Sequence, residues 1–480
     1  MHLLRHLAIT CLSLCAALAA GPGQAAAPPK PAPDALPGPV AAALRQARVP
    51  QDALSAVVLA VEGGSPRLAW HGEVARNPAS VMKLVTTYAA LELLGPAFTW
   101  QTPVYVQGTV QDGTLRGNVY IQGQGDPKLV AERLWLMLRR LQGQGVVHID
   151  GDIVLDRSAF SVAPRDPGDF DGEPWRPYNV APDALLVNFN ALTLDFIPDP
   201  AAGVARIAFE PPLAHLQVPA SVPLAPGQTP CGDWRAGLQA DFAQPGRIAL
   251  AGAYPASCGE RSWSAAPADP QGFAARAVEG MWRALGGTLT GRVRDGQVPD
   301  QLPPAFSSTS PTLAEVIRDI NKYSNNVMAQ QVLLTLGWQQ TGSGTLQGAQ
   351  AVLGDWWRTH GGTAGELAMD NGAGLSREGR IGARALARLL QQAWASPVMP
   401  ELLASLPITG VDGTLKRRKG LARGAAHLKT GTLRDAAALA GYVRGASGRR
   451  YVLVAFVNHP DAVAARPALD ALVDWVWADQ

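Results

Sequence analysis

The stretch NPASVMKLVTTYAALELLG, Asn77–Gly95, carries the reading that decides the fold. Asn77-Pro78-Ala79 brings the chain out of a loop, and Ser80 to Leu94 follows as an apolar helix closed by Gly95. Positions i and i+3 of a helix share a face, so the Lys83 amine can reach the Ser80 hydroxyl. Serine alone is a poor nucleophile and needs a neighbouring base, a part that a desolvated lysine can fill. Ser80 also opens its helix, where unpaired backbone N–H groups favour developing negative charge. Taken singly, Ser-x-x-Lys also describes a helix cap beside a surface lysine, so its weight depends on what accompanies it.

Two further motifs follow in order. Ser324-Asn325-Asn326 falls between two helical segments, Leu313–Lys322 and Asn326–Trp338. Ser324 offers a hydroxyl able to pass a proton, and Asn326 an amide able to hold a peptide; an N-cap serine with polar followers would look the same. Lys429-Thr430-Gly431-Thr432 lies on the first of three successive strands, His427–Leu433, Ala437–Val443 and Arg450–Val457. A lysine and two hydroxyls on one strand edge suit a carboxylate, and Gly431 lets a ligand approach the backbone. An edge strand protected by lysine is the bland counterpart. Each motif occurs once, on a helix start, an inter-helix loop and a strand. That conjunction points to acyl transfer through a serine.

Around these motifs the chain divides by texture. Leu54–Val61 and Leu68–His71 read as a strand pair about Gly63-Gly64, and Ala468–Trp477 as a terminal helix. From about residue 97 to 290 short alternating runs (Thr102–Val110, Asn118–Gln122) and a Pro/Gly-rich stretch, Pro198–Pro267, replace the helical pattern, with one long helix over Leu129–Leu141. The expected organisation is a catalytic domain over 39–96 and 291–480, interrupted by a β-rich insert of one or two domains over 97–290.

The bulk numbers narrow the function. With 41 Lys+Arg against 39 Asp+Glu, and only Lys416–Lys419 as a basic run, the chain carries no footprint for nucleic acid. Arg5 precedes an apolar run, Leu7–Ala20, that ends at Gly21-Pro22 and small residues; it is too short to span a bilayer comfortably. Residues 1–25 are therefore expected to be a cleaved signal peptide and 26–38 a proline-rich leader, leaving no integral membrane segment and placing the mature protein in the periplasm. Of four cysteines, Cys11 and Cys15 leave with the signal, so Cys231 and Cys258 are expected to bridge in an oxidising compartment. Closing that loop is worth roughly 3.5 kcal/mol on the chain-entropy model. The eight histidines show no pair at helical ligand spacing, and neither metal nor cofactor is expected.

The three motifs resemble the signature of penicillin-binding proteins and serine β-lactamases. The long interval from Ser80 to Ser324 separates the members of that group. Together with Gly123–Pro127, Asn371–Arg377 and Val411–Leu415, it makes the chain similar to the penicillin-binding protein 4 family of D-alanyl-D-alanine carboxypeptidases/endopeptidases from about Leu54 onward. Ala373 departs from the serine common in that family. The resemblance implies an α/β transpeptidase-like domain with an antiparallel sheet and β-rich inserts. It implies Ser80 as the acylated nucleophile, Lys83 as base, Ser324 as proton relay, Asn326 as peptide holder, and Lys429, Thr430 and Thr432 as carboxylate binders. The oxyanion hole would be the backbone N–H groups of Ser80 and Thr432. The implied partners are peptidoglycan stem peptides, with β-lactams as inhibitors. Asp156 and Phe160, in a segment similar to a family stretch lining a diaminopimelate subsite, are expected to read the third stem residue, although a strand-end Asp satisfying a turn fits equally. Two other functions use the same fold: a β-lactamase or esterase, which needs a deacylating carboxylate in recognisable context, and a non-catalytic wall-binding protein, which would have lost a motif residue.

Overall fold

The three C-terminal strands form the heart of a five-stranded antiparallel sheet in a computed structural model that describes residues 35–479. The expected signal peptide (1–25), Cys11, Cys15 and most of the leader (26–38) lie outside the described residues. The strand order is Leu68–Trp70, Leu54–Ala60, Arg450–Asn458, Ala436–Arg444, Ala426–Leu433. The N-terminal strand pair thus docks on the C-terminal hairpins, with Val57 opposite Val454.

Side chains alternate across a strand, so each strand must feed two cores. Val452, Val454 and Phe456 enter one core with the helices Lys83–Leu94, Leu313–Tyr323 and Asn326–Thr341. Leu453, Ala455 and Val457 enter the other, beneath the helices Gly38–Gln46 and Arg466–Trp477. Helices cover both faces, which explains why these strands read as nearly continuous apolar runs. The motif strand, Ala426–Leu433, is an edge of this sheet.

The insert builds a seven-stranded mixed sheet around Gln101–Gln111 and Thr114–Gln122, and a four-stranded sheet around Leu192–Asp199. One buried cluster joins them, since Ile121 and Leu155 of the first sheet share it with Leu194 and Phe196 of the second. The helices Ala131–Gly143 and Phe273–Ala284 contribute Leu138, Leu141, Val278 and Trp282 to the same core. The seven-stranded sheet also takes in two strands that follow residue 290. Val293–Asp295 pairs with Ile153–Asp156 and Phe306–Thr309 with Gln101–Gln111, so both strands belong to the insert's sheet. Strands of three and four residues hold their place by backbone pairing and leave almost no periodic signal in sequence.

The sulfurs of Cys231 and Cys258 lie 2.07 Å apart. The bridge lies beside an aromatic group in which Phe196 and Trp234 both contact Tyr254 and Trp234 contacts Trp263. Among the described residues no helix is long and apolar enough to cross a membrane.

Candidate active site

Ser80 does not sit in the first turn of a regular helix. Ala79–Met82 is a short 3₁₀ turn, and the α-helix starts at Lys83. The cause lies just upstream. Ala79 takes φ +47°, a conformation costly for a residue with a Cβ. Asn77 holds it there: its Oδ1 accepts from Ala79 N at 2.9 Å, and its Nδ2 donates to the Ser376 carbonyl at 2.9 Å. Asn77 also exchanges a bond pair with Asn458 at the end of the central sheet, at 2.7 and 2.9 Å. Two glycines make room for the turn. A Cβ at Gly374 would lie 1.9 Å from the Ala79 carbonyl, and one at Gly431 would lie 2.6 Å from the Pro78 carbonyl and 3.1 Å from Ser80 N. The Lys-Thr-Gly strand therefore lies directly against the serine turn, and glycine is required for that approach.

Lys83 is fully buried behind Ser80. Its Nζ lies 3.0 Å from Ser80 Oγ and donates to Asn326 Oδ1 and the Ala373 carbonyl, each at 2.6 Å. Burial, reinforced by the Lys429 charge, holds the Lys83 amine well below the usual lysine range. Lys429 is also fully buried, and desolvation lowers it to about 7. Its Nζ donates to Ser324 Oγ at 2.8 Å and the Thr430 carbonyl at 2.7 Å. It is not the solvated edge-strand lysine of the bland reading.

The middle motif is shaped by helix ends. The helix Leu313–Tyr323 opens with a capping box between Thr312 and Glu315 and closes at Ser324, which adopts the left-handed conformation at φ +60°. Asn325 caps the next helix by accepting from Met328 N at 3.0 Å. This tight break aims Ser324 at Lys429 and buries Asn326 against Lys83.

The remaining residues divide. Thr430 Oγ1 meets Thr414 Oγ1 at 2.8 Å, and the exposed Thr432 hydroxyl accepts from Arg466 Nη2 at 3.1 Å. The Asp156 side chain makes no hydrogen bond to Ser80, Lys83, Ser324 or Lys429 among the described residues. The Asp156 carboxylate is 2% exposed and accepts from Ser158 N at 2.9 Å and Val298 N at 3.0 Å. Phe160 packs with Ala184 and Leu334, and its ring fills the space beside Gly125 and Gly344. A carboxylate closed in by backbone donors fits the turn-forming role that the sequence allows for Asp156.

The insert reaches the site through another segment. Asn326 Nδ2 donates to the Tyr178 carbonyl at 3.0 Å, and Phe170 packs on Ala79 and Leu433 under the Arg377 guanidinium, 4.5 Å from the ring centroid. Tyr178 and Ala373 serve through carbonyls, which no side-chain motif can announce. Phe170 lies in a polar run whose composition resembles any loop. Among the described residues no group of three His, Cys, Asp or Glu gathers as a metal site.

A half-buried serine backed by two buried lysines, on a turn pinned to an antiparallel sheet, defines a hydrolase of transpeptidase-like fold. The chain belongs to the D-Ala-D-Ala carboxypeptidase 3 (S13) family, whose profile matches residues 36–478. It is 26% identical over 407 residues to the D-alanyl-D-alanine carboxypeptidase DacB of Haemophilus influenzae, covering 81% of this chain and 82% of the relative. It is 29% identical over 426 residues to the D-alanyl-D-alanine carboxypeptidase of Actinomadura sp. strain R39, covering 82% and 76%. The structure of penicillin binding protein 4 from H. influenzae superposes with a TM-score of 0.71 at 23% identity, over 91% of this chain and 99% of that one.

Proposed function

We propose that the protein is a serine D,D-peptidase that removes the terminal D-alanine of peptidoglycan stem peptides, cuts their D-alanyl cross-links, or does both, through an acyl-enzyme on Ser80. The observation that carries this is the contact chain Ser80–Lys83–Asn326, with Lys83 wholly buried. A neutral lysine has two N–H donors and one lone pair. The Asn326 and Ala373 oxygens, both at 2.6 Å, match the two donors. The lone pair is then left for the Ser80 proton, and desolvation lowers the amine's proton affinity in favour of this form.

In the proposed reaction Ser80 Oγ attacks the carbonyl of the penultimate D-alanine while its proton passes to Lys83. The oxyanion forms against the N–H groups of Ser80 and Thr432. The proton held by Lys83 then passes through Ser324, which touches Lys429, to the leaving amine as the C–N bond breaks, and Lys83 is neutral again. Water then attacks the ester and restores Ser80. Asn326 orients the peptide, Thr430 and Thr432 take its terminal carboxylate with Lys429, and Phe170 and Tyr178 of the insert supply a wall beside the serine.

β-Lactams are the inhibitors expected of such a serine; the relative from H. influenzae has been solved in complex with a β-lactam. The leader sequence and the disulfide both support export to the periplasm. Mass spectrometry of purified stem pentapeptide and cross-linked dimer after incubation tests the reading. Loss of one D-alanine from the first, or scission of the second, is the expected result. Both substrates intact would refute it.

A further inference from the structure

Arg466 opens the C-terminal helix Arg466–Trp477, and its guanidinium reaches to the end of the motif strand. There Nη2 donates to Thr432 Oγ1 at 3.1 Å, and both side chains stand in solvent. A hydroxyl that accepts from a cation keeps its own proton free to donate. The acids nearest in sequence point elsewhere: Asp435 to Arg377, Asp461 to His459, and Asp470, one turn along the same helix, to Arg418. Arg466 forms no ion pair among the described residues. Asp470 feels the Arg466 charge but pairs with Arg418, so the Arg466 guanidinium keeps its donors open and, beside a free O–H donor, is a fork for a carboxylate.

The site needs such a charge. Lys429 has already committed donors to Ser324 and Thr430. Its amine is lowered to about 7, so at neutral pH and above it does not supply a full positive charge to an incoming anion. Arginine stays protonated throughout.

We infer that Arg466 is a carboxylate-binding residue, its guanidinium and the Thr432 hydroxyl together holding the carboxylate of the departing group. This rests on the peptidase reading. The test compares wild type, Arg466→Ala and Arg466→Lys on two thioesters of an acyl-D-alanine. One carries a thioglycolate leaving group, and the other its neutral glycolamide. Both bonds are reactive enough to break whether or not the leaving group carries a charge.

In Arg466→Ala, kcat/KM for the thioglycolate should fall roughly ten- to a hundred-fold, mostly through KM, with the glycolamide changed less than about two-fold. Arg466→Lys should recover part of the loss on the thioglycolate alone. Equal losses on both thioesters, or loss on neither, would overturn the assignment of Arg466 while leaving the peptidase reading intact. A wild-type enzyme inert to both and unlabelled by penicillin would overturn the peptidase reading and the assignment with it.

Discussion

Lys429 lies wholly buried on the edge strand, and its amine is lowered from the ordinary 10.5 to about 7 by desolvation. Below pH 7 the folded protein must hold an ammonium ion out of water, at a cost on the order of 4–5 kcal/mol. Between pH 7 and 10.5 the unfolded chain binds this proton and the folded chain does not. Stability from this residue therefore rises with pH across that window, and the cost is gone above it. Lys429→Met removes the cost but loses the bonds to Ser324 Oγ and the Thr430 carbonyl. Those are worth about 1 kcal/mol each. The net gain is roughly 2–3 kcal/mol at pH 6, and it should change sign near about pH 9. For a chain of this length that amounts to a rise in Tm of about 2–3 °C. Differential scanning calorimetry of both proteins at pH 6, 8 and 10 makes the comparison, and penicillin labelling should collapse in the variant at every pH. A Tm that falls at pH 6, or a gain that grows with pH, would refute the electrostatic reasoning.

Two further outcomes follow from the same geometry. Lys83→Arg should slow acylation by penicillin roughly 10²-fold or more, because arginine stays protonated and cannot take the Ser80 proton; stopped-flow labelling at a near wild-type rate would remove Lys83 as base. Cys231→Ala with Cys258→Ala should lower stability by roughly 3.5 kcal/mol through the 27-residue loop separation, with penicillin labelling retained at low temperature; an unchanged denaturation midpoint would mean the aromatic cluster alone holds that part of the insert.

Much of the site could be read before any coordinates, for a physical reason. Ser80, Lys83, Ser324, Asn326 and Lys429 meet through side chains at fixed local spacings, and a helix start, a helix break and a strand edge each show in sequence. The last two strands are legible because both of their faces are buried, leaving runs with hardly a polar residue between their ends. What stayed hidden depends on backbone atoms or on distant pairing. The Ala373 and Tyr178 carbonyls complete the site without any side-chain chemistry. Ser80 was read as part of a regular helix because the clamp on Ala79 comes from Asn458 through Asn77, 381 residues away in sequence. The Val298 N–H that closes over the Asp156 carboxylate comes from 142 residues away, and nothing at the strand end announces it. Arg466 lies 34 residues beyond Thr432, in a segment whose acids and small residues describe an ordinary helix start.

The measurement closest to the central claim is peptide mapping of the wild-type protein and Ser80→Ala after brief exposure to benzylpenicillin. The wild type should carry one penicilloyl adduct on the peptide containing Ser80, and the variant none. An adduct on any other residue, or one that persists in Ser80→Ala, would contradict the account.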